Sequence, residues 1–196
     1  MTCFSTRAVA LLLLFSVAGC GALSGPPVRL YVLGEIAPPV AALVDESGRP
    51  VFVLKTVQVP DYLDNQDMLT RALDNEVVAS RSGRWAERLS IGMTRTLITA
   101  LSERAPGYVL LAATPAFGAV PRQITVDIDA FDARADGQIF LAARWSIGSA
   151  GGDVAAGGRV GLVGSARALG DANLAAATTA ILYRLADAIA VTLPPG

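Results

Sequence analysis

Asp127 and Asp129 are the residues whose type and spacing come closest to a catalytic pair. Two residues apart on a strand, their carboxylates would share one face, and such a pair could serve a glycoside hydrolase or bind a cation. The same residues alternate with Ile124, Val126 and Ile128, which is the pattern of any strand with one face in solvent. We therefore predict a solvent-exposed face. A hydrolase remains a hypothesis that requires a cleft with both carboxylates facing inward.

Two further patterns match ligand sites only in part. Asp61, Asp64 and Asp67 are spaced by three residues, whereas a calcium-binding loop uses alternate positions and a glycine at its turn. The loop Gly148–Gly152 lacks the lysine and hydroxyl residue that complete a phosphate-binding loop, and Lys55 is the only lysine in the chain. The sequence therefore predicts a solvated turn and a hairpin connection, with no metal and no cofactor.

The composition excludes several kinds of chemistry. The 196 residues include no histidine, so a Ser-His-Asp site, a histidine general base and a histidine-ligated zinc cannot form. The two cysteines are Cys3 and Cys20. The formal net charge of -1 gives no general attraction for nucleic acid, which only a local basic patch could supply. We predict a protein that is not an enzyme and that binds no nucleic acid.

The first 19 residues have the organisation of a bacterial lipoprotein signal peptide. Arg7 precedes an apolar run over 8–15, which is shorter than the roughly 20 residues that a membrane-spanning helix needs. The stretch Val17–Cys20 (VAGC) resembles the lipobox, after whose cleavage the cysteine becomes the lipid-modified first residue. We predict lipid attachment at Cys20, with palmitate among the acyl groups. The alternatives are a secreted protein with an accidental cysteine and an uncleaved signal anchor.

This processing sets the domain boundaries. Residues 1–19 are the signal peptide, residues 20–27 form a lipidated tether, and residues 28–196 form the domain. Gly21 stands where an aspartate would, in many Gram-negative bacteria, signal retention in the inner membrane. By that resemblance the anchor belongs in the outer membrane and the domain faces the periplasm. Removal of Cys3 and acylation of Cys20 would leave no free thiol.

Local patterns predict the elements that position these residues in the first half of the chain. Strands are predicted over 28–33 and 51–59, and a small hairpin over 70–79 turns at Asp74-Asn75. A helix is predicted over 84–103 because apolar residues recur every four positions, at Trp85, Leu89, Met93, Leu97 and Leu101.

The second half predicts an antiparallel meander. Two alternating strands, around 124–129 and 139–147, are joined by Asp136-Gly137, a dipeptide typical of tight hairpin turns. An irregularity is predicted at Ala130-Phe131, and a third strand follows over 160–168.

A final helix completes the predicted fold. It is predicted to begin with Asp171 as its N-cap and to stop at Pro194-Pro195. The fold class is therefore α+β, with a largely antiparallel sheet and two main helices packed on one face. Trp85 and Trp145 lie on regular apolar stripes, which favours core positions over the alternative of a lipid-binding groove.

Three stretches in combination resemble a known family. They are Val59–Asp64 (VPDYLD), Thr70-Arg71, and Arg84–Leu89 (RWAERL) followed by Gly92 and an apolar helix. Together they resemble the ABC-type transport auxiliary lipoproteins, the PqiC-like family. With the lipobox, the first strand, the late strands and the terminal helix, the resemblance spans nearly the whole chain.

The resemblance implies a non-catalytic periplasmic component of a lipid-transport or membrane-integrity system. Such systems combine an inner-membrane ATPase and permease with an MCE-domain protein that forms a ring or tube across the periplasm. We expect the lipoprotein to dock to the MCE-domain partner at a surface bordered by Pro60, Asp61, Tyr62, Arg84, Trp85 and Glu87. A symmetric ring would also suit a homo-oligomer. The alternative is a periplasmic lipoprotein that itself carries an acyl chain in a groove between helix and sheet.

Overall fold

The fold consists of two β-sheets and two α-helices. The computed structural model describes residues 27–34, 48–72, 75–114, 121–149 and 151–194. The strands are β1 (Arg29–Tyr31), β2 (Val51–Leu54), β3 (Asp67–Arg71), β4 (Val77–Trp85), β5 (Val109–Leu111), β6 (Arg122–Ala133), β7 (Gln138–Gly148) and β8 (Val154–Ser165). The helices are α1 (Leu89–Arg104) and α2 (Asp171–Ala190), and a 3-10 turn covers Asp61–Leu63.

The strands form two sheets, where the sequence predicted one. The five-stranded sheet has the order β5-β2-β6-β7-β8, and the three-stranded sheet has the order β1-β4-β3. Neighbours β6, β7 and β8 are antiparallel, as are β3 and β4, but β2 runs parallel to β5 and β6, and β1 runs parallel to β4. The α+β class is confirmed. The parallel pairs were missed because they join strands that are distant in sequence, and no local pattern records them.

The meander of β6, β7 and β8 follows the predicted alternation. Gly137 in the turn between β6 and β7 has φ 85°, a conformation that glycine adopts without steric cost. The pairing shifts by one residue between Ile128 and Ala130, next to the predicted irregularity. The side chains of Ile139, Leu141 and Ile147 are buried under the helices, whereas Phe140 and Arg144, at alternate positions, are exposed.

The strand β8 begins at Val154, well before the predicted start at residue 160. Its glycine-rich first half looks like a loop in sequence, but Gly158 lies against the indole of Trp145 across the pair β7–β8. A side chain at that position would overlap the ring. The glycines therefore serve close packing within a strand, while the hairpin connection predicted from the same run occupies only the residues before it.

The core lies between the helices and the inner face of the five-stranded sheet. Helix α1 packs on α2 and β5, and α2 packs on β7 and β8. Fully buried side chains include Phe52, Leu54, Met93, Leu97, Ile124 and Ile181. The three-stranded sheet joins the same core through Met68 and Trp85, and Trp145 is buried in it as well. The core positions predicted for both tryptophans are thus confirmed.

Two predicted helix starts are wrong. Arg84 and Trp85 end strand β4, and α1 begins only at Leu89. The apolar spacing continued backwards through Trp85 because the strand and the helix bury side chains in the same core. Asp171 is the first residue of α2 but not its cap, since Gly170 holds the cap position and the Asp171 carboxylate accepts a hydrogen bond from Ser82 Oγ at 2.7 Å.

The anchor predictions concern another part of the chain. The signal peptide, Cys20 and residues 21–26 of the tether lie outside the described residues. Within the described stretches, neither helix combines the length and the hydropathy that are needed to span a bilayer.

Candidate functional site

The structure joins the two most distinctive sequence motifs at one place. We call this place the junction, formed by residues 60–67 before and within β3 and residues 84–90 at the end of β4 and the start of α1. Backbone hydrogen bonds tie the two segments, from Trp85 N–H to Gln66 O at 2.8 Å and from Leu89 N–H to Asn65 O at 3.3 Å. The Gln66 side chain adds a third tie by donating to Ala86 O at 3.2 Å.

Asp64 caps helix α1 from the other segment. The residue at the cap position, Arg88, makes no side-chain capping bond. Instead Asp64 Oδ1 accepts from the Ser90 N–H at 3.2 Å, and its other oxygen lies 3.7 Å from Arg88 Nη1. A carboxylate at this end of a helix satisfies a free N–H and interacts favourably with the helix dipole. Residues 61–63 form a turn, as the sequence predicted, but Asp64 caps α1 and Asp67 begins β3.

Arg84, Trp85 and Glu87 are held by contacts inside the chain. Arg84 Nε lies 3.0 Å from Asp67 Oδ1, and its guanidinium also donates to backbone carbonyls of its own strand. The Trp85 side chain is 3% exposed. Glu87 Oε1 accepts from Arg95 Nη2 at 2.7 Å. These three residues are part of the junction. The side chains of Arg84 and Glu87 are only partly exposed to solvent.

Pro60, Asp61 and Tyr62 form the outer corner of the junction. The Leu63 N–H donates to Pro60 O at 2.8 Å, which closes the 3-10 turn. Asp61 is exposed, and the Tyr62 side chain is 42% exposed. Among the described residues, the Asp61 carboxylate has no hydrogen bond or ion pair. Asp61 and Tyr62 are thus the predicted contact residues that are free to meet another molecule.

An ion pair between the two sheets supports this corner. Arg71 on β3 lies 2.7 Å from Asp132 on β6 and also donates to the Tyr62 hydroxyl at 3.4 Å. The pKa of Arg71 is raised above its usual value. The main cause is the hydrogen bond to Asp132, and the second is the negative charge of that carboxylate. The guanidinium therefore stays charged and connects the three-stranded sheet to the five-stranded sheet.

Asp127 and Asp129 do not form a catalytic pair. Both lie on the outer face of β6, and Arg144 of β7 contacts both carboxylates, at 3.4 Å from Asp127 Oδ2. Both carboxylates are paired with one guanidinium on an outward-facing strand surface, whereas the hypothesis required them to face into a cleft. The hydrolase hypothesis is therefore wrong on geometry. No cluster of three or more potential metal ligands occurs in the part of the chain that the structure describes.

Two cavities lie near the start of α2. One of about 210 Å³ is lined by residues of the β6–β7 turn and by Leu169 and Leu174. A second of about 420 Å³ includes Pro27, Arg29 and again Leu169. Neither cavity is lined by residues of α1, and the acyl-carrier alternative stays a prediction.

Sequence reasoning missed the residues that hold the junction together. Asn65, Gln66 and Arg95 were not singled out, and Asp64 was assigned to its own turn alone. The polar run 64–67 directly before a strand was a usable signal for capping or turn contacts. The helix that Asp64 caps could not be identified from sequence, because the capped N–H lies 26 residues further along the chain.

Comparison with known proteins agrees with the resemblance drawn from the sequence. A model of the family described as ABC-type transport auxiliary lipoprotein component matches residues 31–190. The intermembrane transport lipoprotein PqiC of Escherichia coli is 25% identical over 135 residues, which cover 69% of this chain and 70% of that protein. The family match, over residues 31–190, includes the junction and both helices.

Two crystal structures share the fold. One, of a protein described as uncharacterized, is 19% identical with a TM-score of 0.69 and covers 85% of this chain and 98% of its own. The other, from Xanthomonas campestris, is 12% identical with a TM-score of 0.63 and covers 83% and 93%. At these identities the likeness extends to the fold alone.

Proposed function

Since the chain belongs to the family of ABC-type transport auxiliary lipoprotein components, we propose that it is the outer-membrane-anchored member of an MCE-type lipid-transport system. In this proposal Cys20 carries the lipid anchor, and the domain faces the periplasm and docks to an MCE-domain partner. It performs no catalysis. The family match over residues 31–190 is the observation that carries the proposal.

The sequence and the site support the finer parts of the proposal. The lipobox ends at Cys20, and Gly21 does not match the aspartate that retains lipoproteins in the inner membrane. The curated relative is named an intermembrane transport lipoprotein. A chain without histidine whose paired aspartates are held by Arg144 suits docking better than catalysis.

We place the docking contact at the corner formed by Asp61 and Tyr62. The rest of the junction fixes this corner through Asp64, Asn65 and Gln66, so its backbone is held in place before binding. A partner that meets a rigid corner loses little conformational entropy on binding, which favours specific contact. A free carboxylate beside a half-exposed tyrosine would suit a basic or hydrogen-bond-donating patch on the partner.

Co-purification tests the docking proposal. The double variant Asp61→Ala/Tyr62→Ala, expressed with its native signal, should recover several-fold less MCE-domain protein from detergent-solubilised membranes than the unmodified chain. Asp153→Ala is the matched control, because Asp153 is also exposed but lies in the β7–β8 connection. Full recovery with the double variant would remove this corner as the contact. Failure of the unmodified chain to recover any MCE-domain protein would remove the partner itself.

The proposal extends to self-association. A ring-shaped partner offers repeated identical sites, and a homo-oligomer of matching symmetry would fill them. The mass of the solubilised lipoprotein, measured by native mass spectrometry, should then be a multiple of the protomer mass. A monomer at the concentrations used for reconstitution would contradict this part.

A further inference from the structure

The short strand β1 carries a row of exposed apolar side chains. Val28, Leu30 and Val32 are 49%, 67% and 56% exposed, whereas Tyr31 between them is half-buried and Leu33 is buried. Side chains of an extended segment alternate between its two faces, so the three exposed residues share one face. We call them the β1 row. Large apolar side chains exposed together mark a contact surface more often than isolated ones do.

The β1 row lies at an edge that the described structure leaves uncovered. In the three-stranded sheet, β1 pairs with β4 on one side only. The register sets Leu30 beside Arg84, so the row borders the polar outer side of β4 and not the core. Leu169 is also exposed, but it lies by the other face of β1, since the cavity that it lines includes Arg29 and Tyr31. The β1 row is thus an apolar surface of its own at the point where the described domain begins.

The distance along the chain to the predicted anchor identifies what can cover this surface. The seven residues from Gly21 to Pro27 connect Cys20 to the domain. A flexible chain of that length spans about 15 Å, and a fully extended one about 24 Å. If the acyl chains on Cys20 lie in the bilayer, the extended length of this tether is the largest distance that can separate the start of the β1 row from the lipid headgroups. Tethering makes the contact intramolecular, so weak apolar contacts are sufficient to populate it.

Arg29 lies on the other face of β1, because it alternates with Val28 and Leu30. The row therefore presents apolar side chains alone, which suit the region between lipid headgroups and acyl chains.

We propose that the β1 row rests on the phospholipid surface that holds the anchor. This contact orients the domain with β1 towards the membrane. The inference depends on the proposed lipid anchor at Cys20, but it does not depend on the identity of the docking partner.

Site-directed fluorescence tests the contact in the intact lipidated protein. Because the processed chain would contain no free thiol, Leu30→Cys introduces a unique site for an environment-sensitive fluorophore. Val154→Cys is the matched control. Val154 is also 67% exposed, but it lies at the start of β8, near the C-terminal end of α2. A helix of 20 residues is about 30 Å long, so the two probes report on opposite ends of the domain.

The protein is reconstituted into vesicles of phosphatidylethanolamine and phosphatidylglycerol, some with nitroxide-labelled headgroups. We expect the probe at residue 30 to emit at shorter wavelength and to be quenched several-fold more strongly than the probe at residue 154. The double variant Leu30→Ser/Val32→Ser, labelled through Val28→Cys, should be quenched much less than Val28→Cys alone while it still floats with the vesicles.

Each other outcome overturns the inference in a recognisable way. Equal quenching at residues 30 and 154 in protein that floats with the vesicles would leave the anchor intact and remove the oriented contact. A shift to shorter wavelength at residue 30 without lipid quenching would show that protein, such as a second copy of the chain, covers the row. Protein that does not float would remove the anchor at Cys20 and the contact with it.

Discussion

The five-stranded sheet and the three-stranded sheet are held by different kinds of contact. The five-stranded sheet buries a continuous apolar face under α1 and α2. The three-stranded sheet contributes only a few side chains to that core and is fixed mainly by polar ties at the junction, among them Asp64 to Ser90 and Asp67 to Arg84. Its outer surface carries the exposed corner at Asp61 and the β1 row.

This difference separates stability from contact with other molecules. Apolar burial is the dominant stabilising term, so the five-stranded layer and the helices determine whether the domain folds. Polar ties contribute less to the free energy of unfolding but fix geometry precisely. The region that we propose to meet the partner and the membrane is therefore the region whose surface residues can change without loss of the fold.

The largest expected effect is at the centre of the helical layer. Leu97 on α1 is fully buried, so Leu97→Ala should lower the free energy of unfolding by about 2–5 kcal/mol, as measured by urea denaturation. Ile91→Ala on the same helix is the control, because Ile91 is 39% exposed and should cost clearly less. Equal losses would mean that α1 does not bury the face described here.

A second effect tests the close packing of β8 on β7. Gly158→Ala would set a methyl group against the Trp145 ring and should destabilise the fold by about 1–3 kcal/mol. In Gly161→Ala the added carbon lies 3.9 Å from Phe140, an ordinary contact, so this variant should be neutral or slightly stabilising. If both variants unfold at the same denaturant concentration, the strand pairing near Trp145 is looser than the structure indicates.

A smaller effect is expected at the junction. Asp64→Ala removes the cap of α1 and should cost about 1 kcal/mol of unfolding free energy. Asp61→Ala, three residues earlier in the same turn, removes no described contact and should leave stability within about 0.5 kcal/mol of the original. A larger loss for Asp61→Ala than for Asp64→Ala would reverse the roles given to the two carboxylates.

The smallest effect concerns the exposed ion pair of the junction. The side chains of Arg84 and Asp67 are 34% and 43% exposed, so Arg84→Lys, which keeps the charge but loses the fork geometry, should change stability by less than about 1 kcal/mol. If the Arg84→Ala variant folds normally and still recovers all of the MCE-domain partner, Arg84 does not position the docking corner. Thermal unfolding and co-purification of both variants make this measurement.

The features that were predicted from sequence and confirmed by the structure depend on residues that are neighbours along the chain. The turns at Gly137 and Asn75, which have φ of 85° and 64°, were predicted from dipeptides whose backbone preferences are local. The alternation in β6 and β7 gave the inner and outer faces correctly because one buried face imposes a period of two. The start of α1 was wrong because strand β4 and helix α1 share one core, so their apolar residues form one uninterrupted stripe.

The candidate site was predictable as pieces but not as an assembly. Both motifs were recognised, and Asp61, Tyr62 and Glu87 were named, yet nothing in sequence showed that Asp64 caps a helix 26 residues away. Long-range pairing depends on how the sheets stack. The exposure of the β1 row likewise depends on which edge of the sheet stays unpaired.

The sequence by itself determined the absence of histidine chemistry and the meander with its turns, which follow from composition and short-range patterns. Its motifs also carried the resemblance to the family and to a lipobox. Only the tertiary structure decided that Arg144 contacts both Asp127 and Asp129, that Trp85 ends a strand, and that Asp61 and Tyr62 remain exposed. The physical reason is that burial and pairing are properties of contacts between distant segments, and those contacts exist only once the two sheets and the helices have packed.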